Sequence, residues 1–488
     1  MLEKIFGLKQ HNASLKTEII GGLVTFVAMC YILPINASIL GQSGMDAAGV
    51  FTMTAIISFI VTMIMGMVAN YPIVLSAGMG LNAYFTYTLC MQVGFTWQES
   101  MMVLTIAGLL FFVFSLTPVR KMIIEAIPAD LKAIISCALG VFIAFVGLRN
   151  SGIIVGGATL VELGNFANPG MLIAILTVIL CFGLMFIKNK TVSNLAIPIA
   201  ILIAAIAGVT VSTIMINNGS IGLNADGQYA YIGGALDGQT TTLPIAPWIS
   251  GEKWGLQVDG VRNVFFYGLL SDGGAFNFGE SLVKILTTPA TYVAIFSMMF
   301  VNLFDTTATL LAVGKNTGII DENGKMQNYR RAVLADATGA LICAPMGTST
   351  VTSFAESNVG VSMGAKTGLA AVVAALMFLL SAFIYPVFSI FTAGSVTAPA
   401  LVCVGAMIFV GNFKDINLKD PVSGFTAIIT VLFALLSYSI ANGIGIGLIC
   451  YVVMMLFSKR AKEVQLPIFI IAGLFVVSFT MNTIMQFL

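Results

Sequence analysis

Asp305 and Glu356 stand in stretches that otherwise read as membrane-buried helix. Asp305 lies within TYVAIFSMMFVNLFDTTATLLAVG, and Glu356 closes the small, hydroxyl-rich run GTSTVTSFAE. A carboxylate at that depth costs ~2.5–3.5 kcal/mol on insertion scales, so intramembrane acids mark substrate or ion pathways by default. Each can accept hydrogen bonds from N–H groups when ionised and donate one when protonated. Together they predict a site in the middle of a membrane protein, and hence a carrier.

The inventory excludes most other chemistry. The only histidine, His11, lies in the polar N-terminal segment, so neither a Ser-His-Asp triad nor a His-based metal site can form within the membrane. None of the seven cysteines makes a CxxC pair, and all sit in apolar segments, which reads as small core hydrophobes. No metal or cofactor is expected. A net charge of +1 gives no sign of a nucleic-acid partner. The run DENGKMQN (321–328) lacks the acidic spacing of a calcium loop and reads as a turn.

The chain as a whole must be a polytopic membrane protein. Of its 488 residues, 58% are hydrophobic and 9% charged, against ~25% charged in soluble domains, and mean hydropathy is +1.00. No cleavable signal pattern precedes the first apolar stretch, which is therefore expected to remain as a span. Stretches of about 20 apolar residues fall near 18–41, 48–70, 72–92, 99–117, 131–148, 170–187, 195–216, 290–314, 332–345, 347–362, 367–391, 396–411, 422–438 and 440–457. A further apolar stretch, 466–487, either spans or lies along the interface.

With the N-terminus inside, the inner loops hold Arg120, Lys121, Lys188, Lys190, Lys315, Lys325, Arg330, Arg331, Lys366, Lys414, Lys419, Lys459 and Arg460. The short outer loops are nearly bare, with Arg149 the main exception, as the positive-inside rule requires. The polar stretch 217–288 then falls outside as a plain connector between two halves of seven spans. An odd number per half inverts the second relative to the first.

The third span of each half is short and interrupted: YPIVLSAGMGLNAYFTYTL and APMGTSTVTSFAESNVGVSMG. Interrupted segments at matching positions point to a binding site between inverted repeats. Gly80 lets a ligand or a neighbouring backbone approach closely, and GTSTVTSFAES suits a short extended piece before a half-helix. Asn82 and Glu356 then fall near two half-helix starts. Carboxylate, amide and the flat faces of Phe85, Phe304 and Phe354 are what a heterocyclic base needs. Asn82 reads equally as a cap or as glue between helices, and Asp336 reads as a structural group near the inner interface.

The segments TEIIGGLVTFVAMCYILPINASIL, LSAGMGLNAYFTY, NLFDTTATLLAVG and GTSTVTSFAESNVGVSMGAKTGL resemble the signatures of AzgA-like adenine/guanine/hypoxanthine permeases. These form a branch of the nucleobase–ascorbate (xanthine/uracil) permease superfamily, and the likeness covers essentially the whole chain. It implies an all-α fold of 14 transmembrane segments as 7+7 inverted repeats, uracil-permease-like, with short extended pieces in spans 3 and 10. It further implies a core domain (1–117 and 289–391), a gate domain (118–216 and 392–488) and an extracellular or periplasmic loop (217–288). Proton-coupled purine uptake into the cell by an elevator motion follows from the same resemblance. The substrate contacts would be Asn82, Asp305 and Glu356, with Gly80, Phe354 and Ala355 beside them, and Asp305 and Glu356 would carry the proton. Distant members have a His one turn after the span-8 acid; Thr309 stands there in this chain, so a relay must rest on carboxylates.

The partners expected are a purine base, a coupled proton and the bilayer of the cell membrane, with self-association into a homodimer left open. Two other functions compete. An intramembrane aspartyl protease would also use two acids, but neither NLFDTT nor SFAES is a GxGD setting. A channel would need a filter repeat, which the chain lacks.

Overall fold

A computed structural model describes residues 2–117, 128–157, 160–224, 228–251, 254–265, 277–317, 319 and 326–487. Arg120, Lys121, Lys325 and residues 321–325 of the DENGKMQN run lie outside the described residues, as do the side chains of Phe304, Lys190 and Lys315.

Helix boundaries follow from capping chemistry and proline. Helix α1 (Leu15–Met29) starts at Ser14, which exchanges side-chain bonds with Thr17 in a capping box. Pro34 has no N–H to return to Cys30, so the first span breaks there and resumes as α2 (Ile32–Gly41). Helix α3 (Ala47–Ile64) runs into a π-helical turn and stops at Asn70, whose φ is +59°. The third span is strand β1 (Leu75–Ala77) and helix α4 (Met79–Ala83), continued as π-helix to Gln92. Helix α5 (Trp97–Leu116) begins at a Thr96–Glu99 capping box. The first half ends with α6 (Ala129–Asn150), hairpin β2–β3 (Ile154–Gly157, Leu160–Leu163), α7 (Pro169–Met185) and α8 (Ala196–Asn217).

The segment expected as a plain connector is built. It holds hairpin β4–β5 (Ile221–Leu223, Tyr229–Tyr231), and Tyr231 donates to the α7 cap Asn168. A short helix, Val258–Val264, packs on α3, where Gly260 and Gly49 meet backbone to backbone. Helix α9 (Phe278–Thr287) turns 84° into α10 (Pro289–Thr317). The second half continues with α11 (Tyr329–Ile342), strand β6 (Val351–Ser353), α12 (Ser357–Ser362), α13 (Gly368–Ser381), α14 (Gly394–Phe413), α15 (Pro421–Leu436) and α16 (Ile440–Phe457). The terminal α17 (Leu466–Phe487) packs on α10 and α16.

Contacts between helices obey an inverted two-fold pattern. Helix α13 packs on α1 and α3, and its counterpart α5 packs on α10 and α11. In the same way α6 packs on α15 while α14 packs on α7, and α7–α8 matches α15–α16. Two bundles result, one of α1–α5 with α10–α13, the other of α6–α8 with α14–α16. The latter is centred on α6 crossing α14, where Gly140 and Gly405 each leave room for the other's carbonyl. Close crossing of small residues is how helices associate when lipid surrounds them. Apolar side chains such as Leu176, Ile179, Phe425 and Ile428 are correspondingly exposed.

Length alone does not deliver fourteen crossings. Among the described residues six helices are long and apolar enough to cross a bilayer, or up to eight if each of two bent pairs is one span. The other expected spans are shorter helices, such as α7 and α15, or the interrupted segments.

The bundle of α1–α5 and α10–α13 is tied at both ends by a carboxylate. Glu18, fully buried, accepts from the backbone N–H groups of Lys366, Thr367 and Ala370 at 2.8–3.3 Å, capping α13. At the symmetry-related place Glu99, at the start of α5, pairs with Lys284 of α9 at 2.8 Å. Replacing Glu18 by Ala would leave buried donors unsatisfied, a loss of about 1–3 kcal/mol. Glu18→Ala is therefore expected to lower the thermal unfolding midpoint of the purified protein, and Glu18→Gln, which keeps an acceptor, to lower it less.

Candidate functional site

The two interrupted segments meet in the middle of the first bundle. Strands β1 and β6 pair antiparallel, with Leu75 opposite Ser353, Ser76 opposite Thr352 and Ala77 opposite Val351. Strand ends and outer edges are closed by protein: Gly78 N–H donates to the Thr350 carbonyl, Phe354 N–H to that of Val74, and Thr62 Oγ1 bridges both backbone groups of Leu75. Ser357 Oγ accepts from Val74 N–H, and Ser58 bonds Ser76 at 2.8 Å. Non-helical backbone survives at membrane depth only where it is covered in this way.

Helix α10 grips this sheet from one side. Thr309 donates to the Ser353 carbonyl at 3.1 Å, and Thr306 donates to Asp336 Oδ1 at 2.8 Å. Asp336 also accepts from Ser353 Oγ at 3.3 Å and is fully buried. The expected place of Asp336 at the inner interface is thus corrected: it stands beneath the strand pair, tying α10 and α11 to β6. Asp305, one residue before Thr306 and one turn before Thr309, is only half-buried.

Asp305 and Glu356 line one cavity of about 590 Å³ between the two bundles. Gly78, Met79 and Gly80 of the third span and Thr352, Ser353, Phe354 and Ala355 of the tenth form the same wall. The opposite wall comes from the second bundle, chiefly Ile135, Leu139, Val404 and Ile408, with Ser136 and Asn412 as polar members. No Lys, Arg or His is among the described lining residues. The wall thus carries two acids with no cation to balance them.

Of the expected site residues, Gly80, Asp305, Phe354, Ala355 and Glu356 are brought together. Asn82 is not: it is fully buried behind the wall and its Nδ2 donates to Asn36 Oδ1 at 2.8 Å. Asn36 in turn donates to Thr54 and Thr348 and accepts from Ser349. On a half-helix the position two residues after Gly80 faces away from the surface that Gly80 presents. Phe85 is likewise buried away from the cavity, which leaves Phe354 as the described aromatic face. Glu356 precedes an α12 of six residues, shorter than a half-span, because Gly364 at φ +100° turns the chain.

Sequence reasoning missed Tyr31. It sits at the break between α1 and α2, is 3% exposed, and donates its hydroxyl to Glu356 Oε1 at 2.8 Å. Pro34 marks the break, but nothing in the sequence ties Tyr31 to Glu356.

The cavity lining includes exposed Asn194 and Gly411, near the start of α8 and the end of α14. Apart from the cavity, a polar and aromatic cluster joins the bundles. The Tyr87 hydroxyl lies 3.1 Å from Gln42 Oε1 and 3.0 Å from Asn150 Oδ1, donating to one at a time. Its ring meets Tyr438 edge-on at 5.0 Å, and the Arg149 guanidinium covers Tyr438 at 4.6 Å. Thr88 Oγ1 donates to Ser439 Oγ at 3.5 Å, and Gln92 donates to the Ser437 carbonyl.

Comparison with known proteins gives the family. Residues 16–446 match the xanthine/uracil model, described as "Permease family". The chain belongs to this permease family. It is a multi-pass membrane transporter and not an enzyme. The permease is 35% identical to guanine/hypoxanthine permease PbuG of Bacillus subtilis, over 98% of each chain. It is 34% identical to guanine/hypoxanthine permease PbuO of the same organism, over 96% of this chain and 98% of the other. Adenine permease AdeP of Escherichia coli is 31% identical, over 98% of this chain and 95% of that one. In fold the permease resembles the transmembrane domain of a cyanobacterium bicarbonate transporter, BicA, with a TM-score of 0.58 at 14% identity. That likeness covers 88% of this chain and 97% of the other.

Gly80 is where the two walls touch: a Cβ there would lie 2.3 Å from Leu139 Cδ1. Gly80→Ala is expected to reduce uptake by the permease by wedging α4 from α6. Adding Leu139→Ala, which removes the obstructing methyls, should restore much of it, as a paired uptake assay would read.

Proposed function

We propose that the permease imports purine nucleobases, adenine, guanine and/or hypoxanthine, by proton symport. The observation that carries this reading is the cavity wall itself, where Asp305, Glu356 and Phe354 face one space without a cation. Ionised carboxylates accept hydrogen bonds from the ring and exocyclic N–H groups of a base, and Phe354 offers a face for a planar ring. A neutral base brings no charge to offset two acids in a low-dielectric site, so a proton taken up with it is the natural counterpart. Asp305 and Glu356 are the groups able to hold that proton. The printed substrates of PbuG, PbuO and AdeP support the purine assignment.

Asn82 enters this reading as the anchor of its half-helix through Asn36, not as a contact to the base, since it does not reach the wall. The basic loops support an N-terminus in the cytoplasm, in which case the part of the cavity near Asn194 and Gly411 lies on the inner side. The cluster at Tyr87 and Tyr438 then faces outward. Every acidic contact belongs to the bundle of α1–α5 and α10–α13, which supports a mobile core that carries the site past a gate of α6–α8 and α14–α16. Fourteen crossings, with the cell membrane as location, complete this reading.

Radiolabelled purine uptake by cells expressing the permease, with unlabelled bases as competitors, tests the assignment. Uptake should be saturable, compete with purines but not pyrimidines, and collapse with a protonophore; sodium dependence without protonophore sensitivity would rule out symport with protons. Glu356→Gln keeps size and one acceptor but loses the charge. Charged hydrogen bonds contribute ~1.5–3 kcal/mol, and each 1.4 kcal/mol is about tenfold. Purine affinity of Glu356→Gln should therefore fall about 10- to 100-fold.

Motion has its own test at the cluster that joins the bundles. A Thr88→Cys, Ser439→Cys pair joins residues whose hydroxyls are 3.5 Å apart. Oxidation should abolish uptake, leave purine binding to purified protein intact, and be reversed by reductant. Undiminished uptake by the crosslinked protein would exclude a separation of the bundles at this cluster.

A further inference from the structure

We propose that Tyr31 is a positioning residue for substrate recognition: its hydroxyl fixes one oxygen of the Glu356 carboxylate so that the other is presented to the ligand. The inference rests on the reading of Glu356 as a purine contact and adds to it the part that makes the contact specific.

Four observations lead there. Tyr31 Oη donates to Glu356 Oε1 at 2.8 Å, a link between residues 325 positions apart in sequence. Tyr31 is 3% exposed and is not part of the cavity lining, whereas Glu356 is half-buried and is part of it. Tyr31 therefore acts on a ligand only through Glu356. Among the described residues no other side chain donates to the Glu356 carboxylate. Finally, Tyr31 sits at the junction of α1 and α2, where Pro34 removes one helical hydrogen bond, with helical backbone angles of φ −60° and ψ −21°.

The physical need is plain. A glutamate at a cavity wall has three rotatable bonds, and immobilising such a chain costs up to ~2 kcal/mol of rotamer entropy. If nothing held it, that loss would fall at the moment of ligand binding and weaken affinity. A buried tyrosine loses its freedom on folding, and its single hydroxyl proton selects one carboxylate oxygen. A bond to one oxygen leaves the lone pairs of the second directed at the cavity. The hydroxyl also accepts, so the pair keeps a hydrogen bond when Glu356 is protonated. Both residues belong to the bundle that holds the acids, so their geometry survives a movement of that bundle as one body.

Asp305 stands one residue before Thr306 and one turn before Thr309, which bond to Asp336 and to the Ser353 carbonyl. The bond from the first span goes to Glu356.

The test is a double-mutant cycle on the purified full-length permease, with adenine, guanine and hypoxanthine as probes. Tyr31→Phe keeps the ring and its packing and removes only the hydroxyl. It should weaken the preferred base about tenfold, the scale of one hydrogen bond to a charged group. KM for uptake should rise by the same factor while the rate at saturating base stays near that of the unaltered protein. In the Glu356→Gln background, Tyr31→Phe should have little further effect, because the second carboxylate oxygen that the bond presents to the ligand is already replaced by an amide NH2. A structural role for Tyr31 alone would lower the unfolding midpoint and multiply with Glu356→Gln, and that outcome would overturn the inference. So would an affinity unchanged by Tyr31→Phe while Glu356→Gln is weak. If Glu356→Gln itself binds as tightly as the unaltered protein, the reading of Glu356 as a contact fails first.

Discussion

The fold is organised around one constraint: two stretches of chain leave the helical state within a membrane protein, and their backbone groups must find partners there. An N–H or carbonyl left bare in such a setting costs several kcal/mol. Strands β1 and β6 answer by pairing with each other, one from each half of the chain. Thr62, Ser357 and the carbonyls of Val74 and Thr350 close what remains. Since neither strand is viable alone, the two halves must fold against each other, and the cavity forms where the strands hand over to α4 and α12.

That arrangement also explains why buried acids in one protein do different work. Glu18 and Asp336 are both fully buried. The first is satisfied by backbone N–H groups of the α13 start, and the second accepts from the hydroxyls of Thr306 and Ser353. Each fastens one element to another. Asp305 and Glu356 instead border an open space, and their free acceptor capacity is what a ligand can use. Depth in the membrane does not separate the two kinds. Whether the donors come from the protein or must come from outside does.

The bundles divide labour in a related way. One brings both acids of the cavity wall and the strand pair, and the other contributes mostly apolar wall, with Leu139 close against Gly80. At the Tyr87–Tyr438 cluster the contact changes character to hydroxyls, amides and crossed aromatic rings. Individually such bonds are modest, about 0.5–1.5 kcal/mol net. A seam of this kind holds a state without making it permanent, as a carrier requires.

Much was legible in the sequence because it rests on composition and local chemistry. Apolar runs, an odd number per half and matched interruptions by Gly and hydroxyl residues specify a membrane fold with an inverted repeat and extended pieces at 75–77 and 351–353. Uncompensated Asp305 and Glu356 were visible for the same reason: a charge inside an apolar run stands out whatever surrounds it. Direction in space was not legible. Asn82 and Gly80 are two residues apart, yet only Gly80 reaches the wall, because the half-helix rotates successive side chains through different directions and Asn36 captures the amide. Tyr31 carried no signal, since an aromatic residue near a proline in an apolar span is ordinary until Glu356 is folded against it. The order of long-range contacts, set by packing between halves hundreds of residues apart, decided which buried polar groups became structure and which were left to bind.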